Sequence, residues 1–162
     1  GSPRTLSKLK GSFVVLEWFN PDCPFVRKHY GSGNMQQLQQ VYTQRGVVWL
    51  SIDSAAPGKQ GHLTPDTAQQ FIKAREVHAS AVLLDPDGAV GRLYGAKTTP
   101  HMFIINPEGV LIYAGAIDDI ASPDPADIPE AINYVATALE EAMAGQPVTV
   151  PESRPYGCSV KY

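Results

Sequence analysis

The apolar positions of this chain fall into short runs separated by Gly, Pro, Asn and Asp. Phe13-Val14-Val15-Leu16-Glu17-Trp18-Phe19 is apolar on both alternating faces, which predicts a strand in the middle of a sheet. Asn20-Pro21-Asp22 ends that strand, and a helix opens near Pro24, a residue suited to a first turn. Gly31-Ser32-Gly33 interrupts the helix. Asn34 as N-cap with Gln37 at the third position predicts its restart, with Met35, Leu38, Val41 and Tyr42 facing inward and Gly46 as the stop.

Val47 to Ile52 predicts a second central strand. Residues 54–62 form a Gly/Pro/Ser/Ala loop, after which Thr64 caps a helix carrying Pro65, Ala68, Phe71 and Ile72. Ala81 to Leu84 reads as a short strand closed by the turn 85–88, and a short helix reaches Tyr94-Gly95. Thr98-Thr99-Pro100 leads into a strand from His101 to Ile105, and the turn 106–109 pairs it with Val110 to Tyr113 as a hairpin. Asp127 and Glu130 give a capping box for a last helix with Ile132, Val135, Leu139 and Met143 inward. The order β-α-β-α-β-(short α)-β-β-α predicts an α/β fold: a mixed sheet, parallel in its first part, with helices on both faces. One domain is expected over residues 1–146, with a helical insertion at about 54–80, followed by a tail, 147–162.

Composition narrows the function classes. With 13 Lys+Arg against 16 Asp+Glu the net charge is −3, and no basic stripe supports a nucleic-acid role. The apolar runs are too short to span a bilayer. Gly1-Ser2 reads as a cloning remnant left by trimming of the natural N-terminus. The compartment stays open between bacterial extracytoplasmic and cytoplasmic, and an oligomer is possible.

The chain has two cysteines, Cys23 and Cys158, too few for a disulfide scaffold and both set in Pro/Gly-rich polar turns rather than apolar runs. Cys23 sits between a buried strand and a helix start, where unpaired N–H groups and the helix dipole favour a thiolate; Arg27 and Lys28 add positive charge, and Asp22 opposes it. A structural cysteine at a helix start fits the same position. Glu17 is the one charge in the first strand, six residues before Cys23, which puts it beneath the helix start. Buried there, with a raised pKa, it can exchange a proton with a thiol; the alternative is an edge-exposed Glu with its stem packed down. Pro100 should stand at the first position of its strand or in a cis turn. In the tail, Val148, Val150, Tyr156, Val160 and Tyr162 suit an extended segment docked on a surface, and Gly157 permits a close approach or sharp turn before Cys158. Cys158 is therefore a candidate resolving partner for Cys23; an incidental cysteine or a bridge between two chains are the alternatives.

Residues 16–26, Leu-Glu-Trp-Phe-Asn-Pro-Asp-Cys-Pro-Phe-Val, together with Tyr94 to Pro100 and the turn 106–109, resemble the thioredoxin superfamily, nearest its peroxiredoxin-like redoxin branch of alkyl hydroperoxide reductase/thiol-specific antioxidant type. The likeness covers residues 11 to about 145. It implies a thioredoxin-like fold, Cys23 as the attacking cysteine, Glu17 as the buried acid, and Pro100 as a cis-proline against the sulfur with Thr99 offering backbone groups to substrate. Asn20, Pro24, Arg27 and His101 complete the expected surroundings.

Two departures separate this chain from the family patterns. Val26 stands where thioredoxins carry a second cysteine. Leu16 and Asn20 stand where peroxiredoxins carry a proline and a hydroxyl residue. Three functions follow: a thiol–disulfide oxidoreductase with Cys23 as nucleophile, a thiol peroxidase passing through a Cys23 sulfenate, or a non-enzymatic copper-binding or redox-sensing module built on Cys23 with His29 or His101. The first is preferred. No metal and no cofactor are expected in it, and its partners would be a thiol/disulfide protein or small molecule and an electron-donor thiol.

Overall fold

The structure is a computed structural model that describes residues 1–162. Its strands are β1 (Val14–Trp18), β2 (Val48–Asp53), β3 (Ala81–Leu84), β4 (Thr98–Thr99), β5 (His101–Ile105), β6 (Leu111–Gly115) and β7 (Cys158–Ser159). Its helices are α1 (Pro24–Gly31), α2 (Asn34–Gln44), α3 (Pro65–Ala74), α4 (Ala89–Tyr94) and α5 (Tyr134–Met143), with 3-10 turns at Leu6–Leu9 and Pro125–Glu130.

Five strands form one sheet in the order β3-β2-β1-β5-β6. β1 pairs in parallel with β2, and β2 with β3; β5 runs antiparallel to both β1 and β6. Two successive parallel crossovers moving in one direction put their helices on one face. That face is the main core, where Val15, Phe19, Trp49, Met102 and Ile104 meet Val26 and Tyr30 of α1, Met35 and Tyr42 of α2, Ala68 of α3 and Leu139 of α5. The opposite face is covered more thinly. There Val14, Leu16, Trp18, Leu50, Ile52, Phe103 and Ile105 pack under Leu6, Leu9, Tyr94, Ala96 and Val160. Helices thus lie on both faces of a mixed sheet, as the strand–helix alternation predicts.

Local expectations fail where a longer-range contact competes. Asn34 does not cap α2. Gly33, at φ +81°, is the N-cap, and the Asn34 amide donates to Nδ1 of His29 instead. Val41 is 41% exposed although it lies in the apolar stripe of α2. The last helix begins at Tyr134 with Asn133 as its cap, and the Asp127 region winds into the separate 3-10 turn. Ile132, expected inward, precedes that helix and is exposed. β6 starts at Leu111 because Asn106 takes both backbone groups of the Val110 region into the turn, its side chain accepting from the Val110 N–H.

The tail is folded onto the domain along its whole length. Ala114 exchanges backbone hydrogen bonds with Pro151 and Ser153 at the β6 edge, β7 pairs antiparallel with β4, and the Val160 N–H donates to Lys97. The Tyr162 hydroxyl donates to the Ala96 carbonyl at the end of α4.

Candidate active site

Cys23 is the N-cap of α1, and its backbone N–H donates to Asn20 across the turn that ends β1. The side chain is sealed from solvent, at 0% exposure. Two groups touch its sulfur. The Thr99 carbonyl lies 3.2 Å away, and the Cys158 sulfur 2.8 Å away. The second contact is produced by β7, whose register sets Cys158 opposite Thr99. The Thr99–Pro100 peptide is cis, and both residues are buried beneath the tail.

Burial alone would raise the Cys23 pKa. Hydrogen bonds from the Cys158 thiol and from the backbone N–H groups of Cys158 and Val26 outweigh it, and the net direction is down. The Cys158 thiol moves the opposite way, to about 11, first because it is partly buried and then because its proton is held by Cys23. The pair therefore favours a Cys23 thiolate accepting a hydrogen bond from a Cys158 thiol. Alkylation of Cys23 should show a midpoint below the unperturbed value of about 8.5. Cys158→Ala, which deletes the donor, should raise that midpoint, and Cys158→Ser, which keeps an O–H, should raise it less; the rate of iodoacetamide labelling against pH measures all three.

The charges expected around the sulfur go elsewhere. Arg27 is exposed, pairs with Asp22 at 3.0 Å and donates to the Pro21 carbonyl, so it braces the loop. Lys28 turns into the protein, where its ammonium lies 3.8 Å from Asp118 and donates to the Ile120 carbonyl. Pro24 is exposed in the first turn of α1. Asn20 is buried but does not reach the sulfur: its oxygen accepts from the Asp22 N–H and its amide donates to Gln60, tying the site to the 54–63 loop.

The histidines are also spent. His29 is buried between Asn34, Asp118 and Tyr156, and burial with the neighbouring Lys28 charge pushes its pKa down to about 3. His101 faces the other side of the sheet, beside Phe103 at 4.4 Å between ring centres, while its neighbour Met102 faces Cys23's side. Its Nδ1 accepts from the Lys97 N–H, and burial lowers its pKa to about 4. Neither ring stands with Cys23, and no group of three or more His, Cys, Asp or Glu side chains is placed to hold a metal ion.

Glu17 is fully buried on the α1 side of the sheet. Four donors converge on its carboxylate: Tyr30 Oη at 2.6 Å, Ser51 Oγ at 2.7 Å, Trp49 Nε1 at 2.8 Å and Gln39 Nε2 at 3.2 Å. Burial raises its pKa against the pull of all four. None of these partners is Cys23. The structure therefore places Glu17 as a polar clamp joining β1 to β2, α1 and α2, rather than in hydrogen-bond contact with the sulfur as a proton acceptor would be.

A second buried cluster carries no strong signal in the sequence. Lys28, His29 and Asp118 are all buried, and Tyr156 of the tail donates to Asp118. The one available hint is that helical spacing puts His29 on the same face of α1 as Val26 and Tyr30.

Comparison with known proteins agrees with this fold. No curated protein matches the chain. A hypothetical protein of Sinorhizobium meliloti superposes with a TM-score of 0.83 at 23% identity, covering 100% of this chain and 86% of its own. A secreted Mycobacterium tuberculosis disulfide oxidoreductase gives 0.54 at 21% identity over 68% of this chain and 74% of its own. The bacterioferritin comigratory protein of Xanthomonas campestris, whose alkyl peroxide reduction has been described, gives 0.55 at 16% over 70% and 73%. The model of the AhpC/TSA family matches residues 1–114, which include β1, the Cys23 turn and the Thr99–Pro100 loop. A buried cysteine at a helix start, its sulfur against the carbonyl that precedes a cis-proline, is thus carried by a chain that belongs to the AhpC/TSA family of thiol-dependent oxidoreductases.

Proposed function

We propose that the protein is a thiol–disulfide oxidoreductase whose redox couple is Cys23 and Cys158. The observation that carries this reading is the 2.8 Å approach of the two sulfurs within one chain. The Cys23 thiolate attacks one sulfur of a substrate disulfide; the Cys23–substrate bond forms, the substrate S–S bond breaks, and the departing sulfur takes a proton from water. Once Cys23 is in that mixed disulfide its negative charge is gone, and with it one reason for the high pKa of Cys158. Cys158 then loses its proton and attacks Cys23; the Cys23–Cys158 bond forms, and the second substrate sulfur leaves and takes up the proton. The substrate is reduced to two thiols, the protein dithiol is oxidised, and an electron-donor thiol reverses the second state.

A thiol peroxidase is the second reading. One observation favours it: a sealed Cys23 is easier to reach for a small hydroperoxide than for a protein disulfide. Against it, Asn20 and Arg27 are engaged with the loop, so neither is free to activate a peroxide oxygen.

The two readings part in a pair of assays on one preparation. Disulfide reduction should be lost in Cys23→Ser, and Cys158→Ser should stall as a mixed disulfide with substrate. Mild oxidation of the wild type should give a Cys23–Cys158 linkage within one chain by peptide mapping. Peroxide consumption without disulfide reduction would overturn the first reading in favour of the second.

A further inference from the structure

We propose that Tyr156 is a positioning residue, a latch on the tail that sets Cys158 against Cys23; this rests on the reading of Cys158 as the resolving thiol. Tyr156 lies two residues before Cys158, at the point where the tail crosses α1. Its ring is 5.8 Å from that of Phe25 in the first turn of α1 and stands 5.8 Å from the Lys28 ammonium. Its hydroxyl donates to Oδ1 of Asp118. Asp118 is held in turn by the Ile120 N–H at 3.2 Å, and by Lys28 and His29, each 3.8 Å from its other oxygen. The Asn34 amide donates to Nδ1 of His29, which leaves the His29 Nε2 proton facing Asp118 and Tyr156.

This cluster is expensive to build. Buried charges cost several kcal/mol each unless paired and hydrogen-bonded. All of its members but Tyr156 belong to the body of the domain, so one hydroxyl from the tail supplies the short hydrogen bond to Asp118. Losing that hydroxyl leaves a buried carboxylate short of a donor, so the cluster holds the tail in its seat. Beyond Tyr156 the next anchors are the β4–β7 pairing, which holds Cys158 itself opposite Thr99, and past it the Val160–Lys97 hydrogen bond. The latch and these anchors bracket the thiol. An opened latch frees the segment from 154 to 157 and leaves only the two-residue β7 pairing to hold Cys158 over Cys23; fraying of that short pairing uncovers the sulfur, which is the route by which a substrate larger than a small disulfide reaches it.

Tyr156→Phe keeps the ring against Phe25 and removes only the hydroxyl. The expected result is a folded protein in which the step from mixed disulfide to Cys23–Cys158 disulfide slows about tenfold or more, as the loss of a hydrogen bond to a charged group implies. First attack by Cys23 on a small disulfide should be unchanged or faster, because the sulfur is less covered. The alkylation midpoint of Cys23 should rise, since the Cys158 donor spends less time in place; a merely structural role would not move it. Asp118→Asn, which keeps an acceptor, should fall between wild type and Tyr156→Phe. Wild-type resolution and an unmoved midpoint in Tyr156→Phe would overturn the latch. If Cys158→Ser also turns over at the wild-type rate, the resolving role itself is wrong; if Cys158→Ser stalls while Tyr156→Phe behaves as wild type, only the latch is wrong.

Discussion

Gly157→Ala is expected to remove Cys158 from Cys23 while leaving the sheet and helices folded. Gly157 has φ +131°, a conformation that side-chain-bearing residues rarely adopt. A Cβ at this position would lie 2.0 Å from the Thr99 carbonyl oxygen and 2.8 Å from its carbon. Both are backbone atoms, and Thr99 is buried beside the buried Pro100, so the tail is the part that must move. Strain of about 1–3 kcal/mol in the docked state corresponds to about a 5–150-fold loss of that state relative to an undocked tail. Formation of the Cys23–Cys158 disulfide after a pulse of oxidant should slow by that factor. Cys23 should label faster with a neutral alkylating agent at high pH because it is uncovered, and its midpoint should move up because its donor is gone. Thermal unfolding should change little, since the two core clusters are built largely from residues before 147. A wild-type rate of disulfide formation would show that docking of this segment does not control the couple.

Glu17→Leu is expected to cost about 3–5 kcal/mol of stability or more, on the scale of breaking a buried charged network. Leucine fills the volume but accepts nothing. The Trp49 indole, the Ser51 hydroxyl and the Tyr30 hydroxyl then lose their acceptor in a site without water access, and each buried unsatisfied donor costs about 1–3 kcal/mol. Against a typical domain stability of about 5–15 kcal/mol this change brings the fold near its limit. Glu17→Gln keeps one oxygen for three of the four donors and should stay folded, losing about 1–2 kcal/mol.

The two substitutions also differ from wild type in pH dependence. The folded-state pKa of Glu17 is raised. Between its unfolded value and that higher folded value, the native state holds a proton that the unfolded state has released. Stability of the wild type therefore falls as pH rises through this window, and is fully present below it. Glu17→Gln carries no such titration and should lack that decline. Urea unfolding midpoints at a series of pH values test both statements. Parallel wild-type and Gln profiles would mean that the carboxylate enters the fold already compensated.

Much of the architecture is legible in the local pattern. The uninterrupted apolar runs at β1 and β2 mark central strands because both faces of those strands are covered. Thr64-Pro65 marks the start of α3 because a cap and a first-turn proline act within one turn of helix; there Thr64 accepts from the Thr67 N–H in a reciprocal box. Asn34 and Asp127 carry the same kind of signal and do not cap. Asn34 finds His29, five residues back across a helix break, and Asp127 sits in a 3-10 turn where Ser122 donates to it. A cap is a local bargain that a nearer or better buried partner overrides.

The chain by itself determined the strand order's raw material, a cysteine at a helix start at position 23 and a charge at Glu17 that had to be buried and satisfied. Those are consequences of periodicity, of the helix start and of the cost of desolvating a carboxylate, and all act within a few residues. Tertiary structure alone decided what each of those groups meets. It spent Arg27 and Lys28 away from the sulfur, turned His101 to the opposite face by the two-residue period of β5, and enclosed Glu17 among donors from three other elements. It also brought Cys158 across 135 positions of sequence to within 2.8 Å of Cys23, because β7 adds to the short edge of β4 and Gly157 alone can pass over Thr99. Pairing of that kind depends on which edge is left open after the rest of the chain has packed, and no local pattern records it.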